Sequence, residues 1–508
     1  MNDLPVVGID LGTTYSVVAR LDASGRPETL INAEGDRLTP SAVLFDGDEV
    51  VVGKEAIKAV ATEAERVALC AKRDVGLAVF HKAIGGKQYP PEVIEAWILN
   101  KLREDATLRI GPFSQAVVTV PAYFDEVRRK TTQDAGYMAG LDVVDIINEP
   151  TAAAVAFAHQ EGLLSRHADA NRPSRLLVYD LGGGTFDVTI VEVRRGGLIT
   201  LATDGDVQLG GYDWDQRLVK IAALALAQRH GVDPATRDRL WQACEDAKRT
   251  LSTREKATVA CDHEGRAARI ELTRDQFEEA TRDLVERTRF TVGQTLAAAG
   301  VAWNRIDRVL LVGGATRMPM IRRMLQQMSG MEPDASVAAD EAVAHGAAIH
   351  AARLLGRHIG EIGRFTIRNV NSHSLGVVGL DPGTRLRRNG IVIPRNTPIP
   401  VTARRLFLTQ KDNQNSILVE VVEGENASAD ACTPIGRCTV SPLPTGLPAQ
   451  SPVEIHFHYK PDGRLRVRVR VPGMAEATEA ELLRAGGLSR EHLDGWRRFI
   501  SRIEPPSR

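Results

Sequence analysis

Hydrophobic and polar residues follow two different rhythms along this chain of 508 residues. Up to about residue 355, apolar runs that predict buried strands alternate with segments whose apolar residues recur at helical spacing. This alternation is typical of α/β folds. The clearest predicted strands are 115–120, 176–180, 188–193 and 309–312, and the clearest predicted helices are 151–159, 213–227, 276–298 and 318–328.

Beyond Gly363 the apolar residues recur at every second position, which predicts strands with one buried face. Arginine alternates with aliphatic residues over 464–471, and proline- and glycine-rich turns separate this segment from similar ones, so a β-sandwich is expected. Two helical segments, 476–485 and 489–500, follow it. We therefore predict four parts: an α/β domain over 1–358, a linker over 359–372, a β-sandwich over 373–475 and a short helical stub over 476–508.

The composition of the chain, and first the distribution of its charges, limits the classes of partner and the location that we expect. The net charge is −1, but residues 364–508 carry 21 basic and 14 acidic residues, whereas the preceding part carries 43 basic and 51 acidic residues. The basic segment lacks interleaved aromatic residues, which argues against nucleic acid as a partner. No stretch approaches the ~18 apolar residues of a membrane span. Five scattered cysteines and a first strand close to Met1 favour a reducing, cytoplasmic location without a signal peptide.

Two loops of the same kind follow apolar strands far apart in the chain: Asp10-Leu11-Gly12-Thr13-Thr14 and Asp180-Leu181-Gly182-Gly183-Gly184-Thr185. Glycines let backbone N–H groups approach a phosphate, and threonine hydroxyls add hydrogen-bond donors. The aspartate at each strand end can hold water on a divalent cation. One such loop is most often an ordinary turn, but the duplication predicts a two-lobed fold that holds a nucleotide between its halves.

Four further features suit the same nucleotide site. Glu245, Lys248, Arg249 and Ser252 lie at i, i+3, i+4 and i+7, so they share one helix face that could sandwich a base. The alternative is a solvated helix surface. The pair Gly313-Gly314 follows a buried strand and could bind a phosphate or ribose, or simply form a tight turn. Glu149 lies at a strand end, where the alternative is a helix cap. Lys72 lies before a turn, where the alternative is ordinary surface charge.

Taken together, these segments resemble the successive signatures of the seventy-kilodalton heat-shock chaperones of the DnaK type. The matching segments are 6–18, 72–73, 120–124, 147–154, 180–187, 205–215, 244–252, 311–319 and 340–347. The resemblance implies an α/β fold with a two-lobed, actin-like (ribonuclease-H-like) ATPase domain, joined to a β-sandwich that binds extended peptides. It implies ATP or ADP with Mg²⁺ as cofactors, and unfolded or extended polypeptides as clients.

The resemblance also implies roles for individual residues in the ATPase domain. Asp10 and Asp180 would hold Mg²⁺ through water, and the catalytic group would comprise Lys72, Glu149, Asp180 and Thr185. The remaining nucleotide contacts would come from Gly12, Thr13, Thr14, Tyr15, Gly182, Gly183, Gly184, Glu245, Lys248, Arg249, Ser252, Gly313, Gly314 and Asp340. This division suits phosphoryl transfer, which depends on positioning and on screening of charge.

The departures from the family pattern lie outside the nucleotide site. The linker segment 363–369 is less apolar than the leucine-rich linker of the family, and Asp145 stands where bacterial members carry a basic contact for J-domain cochaperones. A J-domain protein and a nucleotide exchange factor are implied partners, but these two departures argue against ordinary J-domain docking. Only 37 residues follow Val471, so no long helical lid is expected.

The β-sandwich keeps apolar residues where the family lines its central peptide pocket, namely Phe407 and Ile417, although plain sandwich core is an equal alternative. The loop 380–390, which would arch over the peptide, is polar and basic. The leading hypothesis is an ATP-dependent chaperone-like protein. The alternatives are a nucleotide-dependent regulatory module without a folding cycle, and a small-molecule kinase with the same duplicated phosphate loops.

Overall fold

The computed structural model describes residues 5–47, 49–165, 173–230, 237–263, 266–356, 365–381, 383–460, 465–474, 478–480, 483–484 and 487–501. These residues form a two-lobed α/β unit, a β-sandwich and a helix near the end of the chain. No described helix combines the length and the apolar character that crossing a membrane requires. Short 3-10 helices lie at 64–66, 71–74, 303–305, 314–317 and 429–431.

The first lobe contains a six-stranded sheet and four helices. Its strands are β1 (Val7–Asp10), β2 (Tyr15–Leu21), β3 (Pro27–Thr29), β4 (Thr39–Pro40), β5 (Ala42–Asp46), β6 (Glu49–Val52), β7 (Val67–Leu69), β8 (Gln115–Val120) and β9 (Asp142–Asn148). Its helices are α1 (Lys54–Glu63), α2 (Pro91–Ile110), α3 (Glu126–Met138) and α4 (Glu149–Gln160). The main sheet has the order β3-β2-β1-β8-β9 with β4 beside β2, and β6-β5-β7 form a smaller sheet.

The second lobe repeats this plan around a five-stranded sheet. Its strands are β10 (Ser174–Leu181), β11 (Phe186–Arg194), β12 (Gly197–Asp206), β13 (Lys256–His263), β14 (Arg266–Thr273) and β15 (Arg308–Val312). Its helices are α5 (Gly211–His230), α6 (Arg237–Thr253), α7 (Arg274–Ala280), α8 (Arg282–Ala299) and α9 (Pro319–Ser329), and α10 (Ala342–Leu354) then returns to the first lobe. The sheet order is β15-β10-β11-β12-β16, where β16 (Thr366–Arg368) comes from the predicted linker.

The β-sandwich consists of two antiparallel sheets. Its strands are β17 (Leu375–Leu380), β18 (Arg387–Ile393), β19 (Val401–Leu408), β20 (Ile417–Glu423), β21 (Thr433–Val440), β22 (Pro452–Tyr459), β23 (Leu465–Arg470), β24 (Thr478–Ala480) and β25 (Leu483–Arg484). The sheets have the orders β18-β17-β20-β21-β25 and β19-β22-β23-β24. The alternating residues of β23 are buried and exposed in turn, as the arginine–aliphatic pattern predicts.

Helix α11 (Arg490–Ile500) packs on the first lobe rather than on the sandwich. Its Leu493 and Ile500 are buried in the same apolar cluster as Trp97 of α2, and the Tyr137 hydroxyl donates to Asp494 at 2.5 Å. The apolar face of an amphipathic helix needs such a partner to exclude water. The chain therefore ends its described part against the lobe where it began.

Two helix predictions are wrong in detail. Residues 478–480 form β24, which pairs with β23, so the described part of the predicted helix 476–485 is extended. Pairing with a neighbouring strand outweighs local helix propensity there. The predicted helix 276–298 is interrupted at Thr281, which ends α7 and whose hydroxyl donates to the Phe277 carbonyl. The linker residues 359–364 lie outside the described residues, and the bounds of the four parts remain predictions.

We expect Gly346→Ala to destabilise the first lobe, because a Cβ on Gly346 would lie 1.8 Å from the backbone oxygen of Ala152 where α10 crosses α4. Overpacking of this kind costs about 1–3 kcal/mol or more. Gly293→Ala in α8 is the matched control, because nothing lies within 4 Å of its Cβ position and the change favours the helix. Urea unfolding should show a lower midpoint for the first variant only; equal midpoints would contradict the packing argument.

Candidate functional site

The two predicted phosphate loops face each other across the cleft between the lobes. Each joins two antiparallel strands, β1 to β2 in the first lobe and β10 to β11 in the second. A Cβ on Gly183 would lie 1.9 Å from the Thr14 hydroxyl oxygen, and one on Gly184 would lie 2.4 Å from the Thr13 methyl carbon. Only glycine permits this approach, so the loops form one continuous polar wall.

The cleft behind these loops has a volume of about 1010 Å³. Every residue that the sequence predicts for the nucleotide and metal sites lines it, apart from Gly184, which packs behind the loop against Thr13 and Gly210. The predicted residues along its wall are Asp10, Gly12, Thr13, Thr14, Tyr15, Lys72, Glu149, Asp180, Gly182, Gly183, Thr185, Glu245, Lys248, Arg249, Ser252, Gly313, Gly314 and Asp340.

Lys72 occupies the base of the cleft with its charge fully enclosed. Its ammonium donates to Glu149 Oε1 and to the Leu11 carbonyl, each at 2.5 Å, and the side chain is only 4% exposed. Glu149 is the first residue of α4, where the positive end of the helix dipole favours a carboxylate. Lys72 belongs to a 3-10 helix of the first lobe, so the pair ties two separate segments of that lobe together.

Asp10, at the end of β1, is half-buried, and Asp180, one residue before the end of β10, is buried; both line the cleft together with this pair. Burial and the charge of Glu149 raise the pKa of Asp10 to about 7, although Thr119 donates to its Oδ1 at 2.9 Å. Burial raises the pKa of Asp180 well above its ordinary value, and Glu149, Asp187 and Asp10 raise it further. A divalent cation would remove this repulsion, so the donor set fits Mg²⁺.

Within the described residues, no three His, Cys, Asp or Glu side chains are grouped closely enough to bind a metal directly. Asp187 completes the acidic group, but its carboxylate accepts from the backbone N–H groups of Ala122 and Tyr123 at 3.0 and 3.1 Å. It therefore joins the second lobe to the first instead of facing the cleft.

The predicted face of α6, which carries Glu245, Lys248, Arg249 and Ser252, forms another part of the cleft wall. Lys248 donates to Asp215 at 2.8 Å and to the Gly211 carbonyl at 3.1 Å, which holds its stem along the wall. Arg249 donates to Glu245 at 2.6 Å and to the Tyr15 hydroxyl at 2.9 Å. Because Tyr15 belongs to the first lobe, Arg249 bridges the mouth of the cleft.

Sequence reasoning assigned no role to Arg73 or Arg317, although both lie within segments that match the family pattern. Arg73 binds Asp213 through two N–O contacts of 3.2 and 3.3 Å, and so connects the lobes. Arg317 pairs with Asp340 at 2.6 Å beside Gly314 on the wall of the cleft. The sequence did offer a signal for both: Arg73 directly follows Lys72, and Arg317 follows shortly after the Gly313-Gly314 pair.

The predicted peptide-pocket residues lie in the sandwich, far along the chain from the cleft residues. Phe407 and Ile417 are both partly buried against the sandwich core. The Phe407 ring lies against the β17–β18 hairpin, where a Cβ on Gly390 would be 3.1 Å from the ring. Leu406, Leu408 and Leu418 nearby in sequence are each more than half exposed. This part of the sandwich therefore presents apolar side chains to solvent.

Contacts between the sandwich and the two α/β lobes are polar and specific. Arg395 pairs with Asp204 at 2.9 Å, and Glu423 accepts from the backbone N–H of Glu126 at 3.0 Å. Asp145, which the sequence analysis treats as a reversed cochaperone contact, lies 2.7 Å from His350 Nε2. The Asp145 carboxylate therefore already has a hydrogen-bonding partner, His350, within the protein.

The fold and cleft define an ATPase of the two-lobed, actin-like class that carries a β-sandwich. A model of the family described as Hsp70 protein matches residues 6–84 and 77–496. Among curated relatives, the chaperone protein DnaK of Thermotoga maritima is 40% identical over 92% of this chain and 78% of its own length. That of Halobacterium salinarum is 38% identical (96% and 76%), and that of Metamycoplasma hominis 37% identical (96% and 81%).

The chain therefore belongs to the Hsp70 family. As a member of this family, the protein is an ATP-dependent chaperone that hydrolyses ATP.

We expect Arg249→Ala to weaken ATP binding about tenfold, because it removes the bridge from α6 to Tyr15 and frees the Glu245 carboxylate. Displacement of a fluorescent nucleotide would measure the change. Arg282→Ala is the matched control, since Arg282 pairs only with the exposed Glu279 among the contacts described. Unchanged affinity in Arg249→Ala would contradict a nucleotide in contact with this face.

Proposed function

We propose that Mg²⁺-dependent ATP hydrolysis in the cleft controls how the β-sandwich of this chain binds extended polypeptide segments. The observation that carries this proposal is a continuous series of paired strands from the second phosphate loop to the linker. Strand β11 begins directly after Thr185 and pairs with β12, and β12 pairs in parallel with the linker strand β16. A change at the phosphates can therefore reach the linker through main-chain contacts.

In the cleft, this proposal gives Lys72 the task of neutralising charge at the γ-phosphate, and Glu149 the task of orienting Lys72 and the attacking water. The two phosphate loops supply N–H and hydroxyl donors, with Thr185 at the γ-phosphate. Asp10 and Asp180 would hold the cation through water, and Mg²⁺ would supply screening of the phosphate charge. Phosphoryl transfer needs such positioning and electrostatic stabilisation more than a covalent nucleophile.

The linker is anchored by side chains as well as by strand pairing. Asn369 Oδ1 accepts from the Thr151 and Thr200 hydroxyls at 3.2 and 3.3 Å, so one residue contacts α4 and β12 together. Helix α4 begins at Glu149, the partner of Lys72. Movement of this helix when ATP is hydrolysed would therefore change the hydrogen bonds that hold the linker.

For the client, we propose extended segments with apolar residues that reach Phe407 and Ile417, and acidic residues beside them. The β17–β18 hairpin carries the exposed Arg385 and Arg388 as well as the exposed Leu380 and Leu386, whereas its Arg387 already pairs with Glu420 and Asp430. A J-domain protein and a nucleotide exchange factor are proposed regulators. Asp145 predicts that a matching J-domain carries a basic residue where the usual motif is acidic.

We expect Lys72→Ala to leave ATP binding largely intact and to lower the rate of hydrolysis by more than about tenfold, since a charge is lost only at the reacting phosphate. Single-turnover hydrolysis with radiolabelled ATP measures the rate. Lys256→Ala removes an exposed lysine that pairs with Glu271 and serves as the control. An unchanged single-turnover rate in Lys72→Ala would exclude the role assigned to this lysine.

Steady-state ATPase activity with increasing apolar peptide, with and without a J-domain protein, tests the coupling. We expect stimulation by peptide in the wild type and its loss in Arg395→Ala, because that variant breaks the ion pair between sandwich and lobe. Arg404→Ala is the control, since Arg404 pairs with Glu454 inside the sandwich. A flat response of the wild type to peptide and to J-domain protein would favour a regulatory module without a folding cycle.

A further inference from the structure

A chain of side-chain contacts runs from β9 through α10 to the linker, outside the nucleotide cleft described above. His350 Nε2 lies 2.7 Å from Asp145 Oδ2, and Arg353 Nη2 lies 3.1 Å from His350 Nδ1. Arg353 Nη1 donates to the Phe365 carbonyl at 3.4 Å, and its guanidinium carbon lies 5.4 Å from the centre of the Phe365 ring. Asp145 is thereby connected to the linker through two residues of α10.

The hydrogen-bonding capacity of the two neighbours fixes the protonation of His350. A guanidinium carries only N–H donors, so Nδ1 of the imidazole ring must accept from Arg353. The carboxylate of Asp145 is an acceptor, so Nε2 must carry the proton and donate to it. A neutral ring meets both demands at once. Burial favours this state, because removal from water lowers the pKa of His350; Asp145 raises that pKa and Arg353 lowers it.

The position of the Arg353 guanidinium depends on these contacts. Its Nε atom is buried and has no hydrogen-bond partner in the part of the chain that the structure describes, so the group is held by its two outer nitrogens. One of them bonds His350, and the other bonds the linker. Hydrogen bonds from a charged donor are stronger than those between neutral groups, so this one side chain ties the linker to α10.

Phe365 fixes the place where the linker meets the two lobes. Only 3% of the residue is exposed, and it belongs to the same apolar cluster as Ile349 of α10 and Val193 of β11. The three residues after it form β16, and the Thr366 N–H donates to the Gly196 carbonyl at 2.9 Å. Loss of the Arg353 contact should therefore weaken these backbone hydrogen bonds first.

We propose that Asp145, His350 and Arg353 form a linker clamp, in which Asp145 orients His350, His350 orients Arg353, and Arg353 holds Phe365 against α10. Asp145 is a positioning residue for the linker, because it acts through His350. A basic side chain in its place would repel Arg353 and could not accept from His350, so the acidic residue that departs from the family pattern suits the clamp. This inference deepens the proposed function, on which it rests for the role of the linker.

Amide hydrogen exchange of the full chain without nucleotide tests the clamp at the linker segment 365–368. We expect Asp145→Ala to lower the protection of these amides about tenfold or more, because Arg353 loses the support that directs it at Phe365. Asp142→Ala is the matched control, since Asp142 is exposed at the start of the same strand. Unchanged protection in Asp145→Ala overturns the proposal. So does an equal loss in β15, at the other edge of the sheet, because it would mean general destabilisation.

Further variants separate a chain of positioning contacts from independent ones. His350→Gln can still accept from Arg353 and donate to Asp145, so it should keep most of the linker protection that His350→Ala loses. Asp145→Ala combined with Arg353→Ala should cost no more protection than Arg353→Ala alone, since both changes act through one donor. Equal losses in the two His350 variants, or losses in the double variant whose free energies simply add, overturn the proposal.

Exchange at the linker also separates this inference from the proposed coupling of the ATPase to peptide binding. A flat ATPase response of the wild type to peptide, together with the expected loss of linker protection in Asp145→Ala, rejects the coupling and supports the clamp. Stimulation of the wild type by peptide, together with unchanged linker protection in Asp145→Ala, rejects the clamp alone.

Discussion

A single ammonium group, that of Lys72, balances a group of buried carboxylates at the base of the cleft. Glu149 and Asp180 are buried and Asp10 is half-buried, and the removal of these groups from water, together with their mutual repulsion, raises the pKa values of both aspartates. Such a cluster is stable only with hydrogen bonds and opposite charge close by. The contact of Lys72 with Glu149 and with the Leu11 carbonyl provides both, so it holds the first phosphate loop and the start of α4 in place.

The same cleft is connected to the sandwich by elements that begin at its edge. Helix α4 starts at Glu149, and β11 starts after Thr185; both lead to residues that contact the linker near Asn369. Contacts such as Arg395 with Asp204 then join the sandwich to the second lobe. Polar contacts of this kind can be exchanged at modest cost, whereas the apolar cores of the lobes cannot be rearranged in parts. This difference suits a protein in which nucleotide chemistry changes how one rigid unit docks on another.

Most of the residues that line the cleft could be selected from the sequence because they belong to contiguous local motifs. A loop such as Gly182-Gly183-Gly184-Thr185 carries its own chemistry, and the α6 face from Glu245 to Ser252 follows from helical spacing. Arg73 was missed for the opposite reason. It gains its partner Asp213 only when the two lobes meet.

By itself, the sequence determined the α/β order of the lobes, the duplicated phosphate loops and the alternating strands of the sandwich, because each depends on residues close together in the chain. The tertiary structure decided what depends on distant partners. Residues 478–480 form a strand because they pair with the hydrogen-bonding groups of β23. Helix α11 packs on the first lobe because its apolar face is buried against the cluster around Trp97. It also decided which charges lie together out of water, and burial beside Glu149 is what raises the pKa of an ordinary carboxyl such as that of Asp10.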